Sequence, residues 1–126
     1  MTAKIRSDLN GTCFHRSTGD IYLVLDGVLR HVPNERTFNQ IFASWKYVDN
    51  DNILNEVQLG EPLDLATKVV SVEGRPEIYL LTYSTPTQVI KRHITSMDVM
   101  AKYNFKVTEQ INQSQDHSIP RAEPIS

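Results

Sequence analysis

Apolar residues crowd into two pairs of short runs along this chain, and the pairs follow the same order. Residues 20–25 and 77–83 are dense in Ile, Val, Leu and Tyr, which suit a pleated surface, and each run predicts a strand. Asp26-Gly27 follows the first run; this dipeptide suits a type I′ hairpin turn, whose two central residues both need positive φ. Residues 28–32 then predict the return strand. In the second pair the turn is the longer Ser84-Thr85-Pro86-Thr87, and residues 88–94 predict the return. An earlier strand is expected in each half, at about 12–16 and 68–72, before a turn rich in Gly, Ser and Pro.

A change of period follows each hairpin. Asn34 offers an N-cap, Glu35 an acidic first turn, and Phe38, Ile41 and Phe42 an apolar stripe at helical spacing. In the second half Thr95 or Ser96 caps, Asp98 lies in the first turn, and Met97, Met100, Ala101 and Tyr103 supply the stripe. Helices this short take their stability from packing on the hairpin. The remainders, 45–65 and 105–126, are polar with spaced aliphatics and predict a second short helix or turn and then an extended tail. Glu61-Pro62 and Glu123-Pro124 close each unit in extended geometry.

The two halves also match in register. Ile21-Tyr22-Leu23-Val24 recurs as Ile78-Tyr79-Leu80-Leu81, and Val28-Leu29-Arg30-His31-Val32 as Ile90-Lys91-Arg92-His93-Ile94. From there the shift stays at 62 positions, to Gly60-Glu61-Pro62-Leu63-Asp64 against Ala122-Glu123-Pro124-Ile125-Ser126. The expected architecture is α+β: two tandem hairpin-plus-short-helix repeats, about 11–65 and 66–126, forming one pseudo-two-fold domain after a lead of residues 1–10.

The run from Gly19 through Asp26-Gly27 and Arg30-His31-Val32-Pro33-Asn34 to Thr37-Phe38 resembles a tandem repeat of bacterial and some fungal proteins. Its pattern is roughly YLV-x-(D/N)-G-x-x-(R/K)-H-I-P-x-x-x-x-F. Ile78-Tyr79-Leu80, Lys91-Arg92-His93-Ile94 and Lys102-Tyr103-Asn104-Phe105 resemble the paired unit, which departs from the pattern at residues 82–87. The resemblance implies a fold rather than an activity. Such units stand alone or are appended to larger, often extracellular, proteins, which points to binding.

Bulk properties narrow the functional field. At 126 residues the chain fits one domain with its own core. A net charge of −2, with no basic run beyond Arg30-His31 and Lys91-Arg92-His93, argues against nucleic acid. Cys13 is the sole cysteine, read as a small buried hydrophobe; no disulfide framework or thiolate cluster is expected. His15, His31, His93 and His117 lack ligand spacing, so neither metal nor other cofactor is expected. No signal peptide or membrane span is read, giving a cytoplasmic protein or one released without a cleaved signal.

No catalytic motif is present, and the leading expectation is a non-enzymatic binding module. It would be lectin-like in the broad sense, with two quasi-equivalent sites for carbohydrate or a host surface molecule. A small toxin or virulence component acting on host cells is one alternative; a structural, homo-oligomerising domain with open strand edges is another. The candidate ligand-binding residues are Arg30, His31, Arg92, His93, Asp26 and Trp45. The arginines are read as forks for a hydroxylated or anionic ligand, and Trp45 as a surface aromatic. The rival reading spends the Arg-His pairs on the strand-to-helix corner, with arginine bridging to Asp20, Asp26 or Glu77. Tyr22 and Tyr79 are read as core.

Overall fold

The computed structural model describes residues 3–64, 66–85 and 88–126. A 3-10 turn at Ser7–Leu9 leads into β1 (Cys13–His15), β2 (Ile21–Leu25), β3 (Val28–Val32), α1 (Glu35–Asn39), β4 (Val48–Asp49) and α2 (Ile53–Glu56). The second half runs β5 (Lys68–Val72), β6 (Ile78–Thr85), β7 (Gln88–His93), α3 (Met97–Lys102), β8 (Glu109–Ile111) and α4 (Gln113–Ser118). Each half builds a four-stranded sheet, in the orders β3-β2-β1-β4 and β7-β6-β5-β8. The fold is mixed α and β, in two similar halves.

Local chemistry explains the elements. Asp26 and Gly27 have φ of 56° and 77°, the two positive angles that the type I′ turn requires. Asn34 Oδ1 accepts from the Thr37 amide and Ser96 Oγ from the Val99 amide, each satisfying a donor left free by the helix start. Pro86 and Thr87 of the longer expected turn, and Leu65 at the expected boundary, lie outside the described residues. The pattern of apolar residues did not predict β4 and β8. These strands of two and three residues lie parallel to β1 and β5 and carry too little alternation to be read.

Each sheet is covered on both faces, which is why residues 21–25 read as a continuous apolar run rather than an alternating one. Successive side chains still divide between faces. Leu23 and Leu25 join Leu80, Phe38, Ile41, Val99, Met100 and Tyr103 in one central core drawn from both halves. Tyr22 and Val24 face the other way, against Ile53 and Val57; Tyr79 and Leu81 do the same against Ile111. Both tyrosines are buried. The expected tails run beside the hairpins: Leu29 bridges Leu59 and Lys91 bridges Arg121, both in parallel. The Leu29 amide donates to the Gln58 carbonyl (2.8 Å) and the Lys91 amide to that of Pro120 (2.9 Å), so the chain covers part of the edge of β3 and of β7 itself.

The halves also interlock. The Ala43 amide donates to the Asn104 carbonyl at 2.8 Å and the Lys106 amide to that of Ile41 at 2.9 Å, around a Phe42–Phe105 bridge. The N-terminal lead packs on the first hairpin: the Arg6 amide donates to the Gly27 carbonyl, and the Gly27 amide to Asn10 Oδ1.

Candidate functional site

Arginine and histidine are neighbours on β3 and again on β7, so their side chains leave opposite faces of the strand. Arg30 stands across from Leu23 and Arg92 from Leu80, whereas His31 stands across from Tyr22 and His93 from Tyr79. The arginines therefore turn towards the junction of the two halves and the histidines away from it. The six candidate residues do not converge on two equivalent sites.

At the junction Arg92 is buried. Its Nη1 and Nη2 donate to both Asp26 oxygens, at 2.6 and 2.8 Å, and its Nε to the Glu123 carbonyl at 2.7 Å. This bidentate fork ties the tip of the first hairpin to the return strand of the second. The Arg92 guanidinium beside Asp26 holds the Asp26 carboxyl below the usual carboxylate range. Arg30 donates from Nε to the Glu61 carbonyl and has no carboxylate partner among the described residues. Burial lowers its pKa; the nearby Asp26 charge opposes this and Arg92 adds to it. The buried Tyr103 adjoins this cluster, its phenol pushed up first by burial and then by the Asp26 charge. Trp45 lies face-on to Phe38, with ring centroids 4.1 Å apart, and keeps about half of its surface in solvent (51% exposed).

The two histidines sit in different surroundings. His31 Nε2 lies 3.8 Å from Asp20 Oδ1. That carboxylate is already served by Arg16 Nη1 at 3.2 Å and Thr18 Oγ1 at 2.9 Å, so the first half closes its own acid with its own cation. Strand register places Val72 where Arg16 stands: Cys13 pairs Leu23 as Val69 pairs Leu80, and three residues further on come Arg16 and Val72. Glu77, immediately before β6, takes the place of Asp20. With no arginine beside it, its Oε2 is shut off from solvent and meets no hydrogen-bond partner among the described residues. The His93 ring lies against the Tyr79 ring (5.6 Å between centroids) and makes no hydrogen bond to a described residue.

Glu77 and His93 line one cleft of about 360 Å³, with Pro76, Ile78, Ile94, Met97 and Met100 as its apolar lining. Met97 is the exposed lip and Met100 is buried. The cleft pairs a partly desolvated carboxylate with an imidazole over an aliphatic and thioether floor. It offers acceptor capacity and a dual donor–acceptor ring, with no Phe, Tyr or Trp platform among the described residues. In the sequence Glu77 stands out only as a possible arginine partner, and Met97 and Met100 only as part of an apolar helical stripe. The available signal was the exchange of Arg16 for Val72 across matched strands, which leaves an acid without its cation.

Elsewhere, His15 Nδ1 lies 2.9 Å from Asp49 Oδ1 and its ring is tilted against that of Tyr47, but Asp49 is highly exposed and such a pair contributes little. Among the described residues no group of three or more His, Cys, Asp or Glu is placed to hold a metal ion, and no helix is long and apolar enough to cross a membrane.

No family model matches the chain, and no curated protein or solved structure is significantly similar to it.

Proposed function

We propose that this chain is a tandem duplication acting as a non-enzymatic binding module, lectin-like in the broad sense, with its ligand site in the cleft of the second half. The observation that carries the reading is the difference between matched acids: Asp20 is neutralised by Arg16, whereas Glu77 lines an open cleft with one buried oxygen unsatisfied among the described residues. A half-desolvated carboxylate without a partner costs stability unless something supplies it with donors. Hydroxyl groups supply donors to Glu77 and both donors and acceptors to His93, and the C–H face of a small sugar suits the Ile78, Ile94 and Met100 floor. The resemblance of the hairpin–helix unit to tandem repeats in larger extracellular proteins also favours binding. Duplication then provides a scaffold in which one copy closes its acid and the other keeps it open, in place of two equal sites.

A saccharide array followed by calorimetry tests the proposal. Binding is expected for the wild type and for Asp20→Ala, and is expected to be lost in Glu77→Ala. A folded protein that binds no saccharide, or binding indifferent to Glu77, overturns it.

A further inference from the structure

We infer that the ligand of this cleft carries a protonated amine beside its hydroxyls, as in an amino sugar, and that its ammonium takes the place that the Arg16 guanidinium fills in the first half. This rests on the cleft being the binding site, but concerns the charge of the ligand.

Three observations meet at Glu77. The first is the internal comparison: at the matched position the same fold stabilises a carboxylate with a cation at 3.2 Å, and the second half has Val72 where that cation would be rooted. The second is burial: Glu77 Oε2 is shut off from solvent and meets no donor among the described residues, so the carboxylate is less well solvated than a surface acid and gains more from a counter-charge. The third is access: the carboxylate lines a cleft of about 360 Å³, at the small end of the range for small-molecule sites, and no Lys or Arg lines it among the described residues.

The remaining lining suits the rest of such a ligand. His93 has both ring nitrogens free of hydrogen bonds to described residues, so it can donate to or accept from a hydroxyl two or three bonds away from the amine. The Met97 and Met100 thioethers are polarisable and tolerate a cation better than a purely aliphatic wall would. No Phe, Tyr or Trp lines the cleft among the described residues, so the large stacking platform that neutral sugars favour is missing and charge is left as the main source of selectivity.

The test titrates the full chain, labelled at its Met methyl groups, with glucosamine, glucose, N-acetylglucosamine and n-butylamine. Chemical-shift changes at Met97 and Met100 provide the readout. Glucosamine is expected to bind roughly tenfold or more tightly than glucose or the acetylated sugar, because a charge-assisted hydrogen bond is about twice as strong as a neutral one. Glu77→Gln keeps the shape of the side chain and one acceptor oxygen but removes its charge, and is expected to abolish that preference. Val72→Arg, which supplies the internal cation, is expected to block glucosamine in the same way. Should the arginine prevent folding, Glu77→Gln alone decides.

Equal affinity for glucose and glucosamine overturns the inference while leaving a saccharide site in place. Butylamine binding as tightly as glucosamine, and lost in Glu77→Gln, upholds the cation site but overturns its saccharide character. No shift with any of the four probes overturns both.

Discussion

Replacing Asp116 by alanine leaves the Lys91 ammonium without its counter-ion inside the outer core of the second half. Lys91 Nζ lies 2.5 Å from Asp116 Oδ1, and both side chains are only 8% exposed. The first half resolves the same place without charge: register matches Lys91 to the fully buried Leu29, and the tail spacing matches Asp116 to Leu54, which packs against the Leu29 cluster. Removing one partner of a buried pair costs about 3–5 kcal/mol, because the other charge stays desolvated. Lys91 Nζ would retain the Asp116 carbonyl at 2.7 Å and the Tyr79 ring at 4.9 Å, which places Asp116→Ala at the lower end, about 3 kcal/mol. With an unfolding entropy of about 0.26 kcal/mol per kelvin for a chain of this length, that lowers Tm by about 11 °C. Lys91→Leu combined with Asp116→Leu restores the apolar solution of the first half. It is expected to be neutral to about 2 kcal/mol more stable than the wild type, since well-packed aliphatics replace two desolvated charges. Thermal and urea melts followed by circular dichroism provide the measurement. A double variant as unstable as Asp116→Ala would refute the reasoning, for it would mean that the two halves are not packed equivalently at this place.

Two further outcomes follow from the junction and the core. Asp26→Asn removes the only carboxylate that Arg92 meets among the described residues, and is expected to cost about 1–2 kcal/mol at neutral pH, a value reduced because the Asp26 side chain is 55% exposed. Asp26 has a folded pKa below its ordinary 3.8, so its contribution is complete above that value and drains away as the pH falls through the lower folded one. Urea melts of the two proteins should therefore converge in strong acid, and a gap that persists there argues against the ion pair as its source. Burial pushes the Cys13 thiol up to about 12, so thiol reagents at mildly alkaline pH should leave the native chain unlabelled and modify it once it is denatured. Rapid stoichiometric labelling of the native protein would contradict the placement of Cys13 in the central core.

Much of the scaffold could be read from the chain because it depends on local rules. The run at residues 28–32, the Asp26-Gly27 turn and the Asn34 cap each carry their own backbone preference, and the structure places a strand, a type I′ geometry and a capped helix there. The site was less legible. The Arg30-His31 and Arg92-His93 pairs stand out in sequence, but adjacent residues on a strand face apart, so one residue of each pair serves the junction and the other the outer face. That Arg92 reaches Asp26 of the other hairpin depends on how the halves meet, and no local pattern encodes it.

The sequence by itself determined the hairpin strands, the Asp26-Gly27 turn and the starts of the helices that follow each hairpin, because each follows from short-range periodicity and backbone preference. Only the tertiary structure decided which acid remains unsatisfied. Whether Glu77 or Asp20 has a cation beside it depends on a residue at the end of a neighbouring strand, Val72 or Arg16, and on the space around it. Hydrogen bonding and desolvation act through distance in space, and the sequence alone does not reveal that distance.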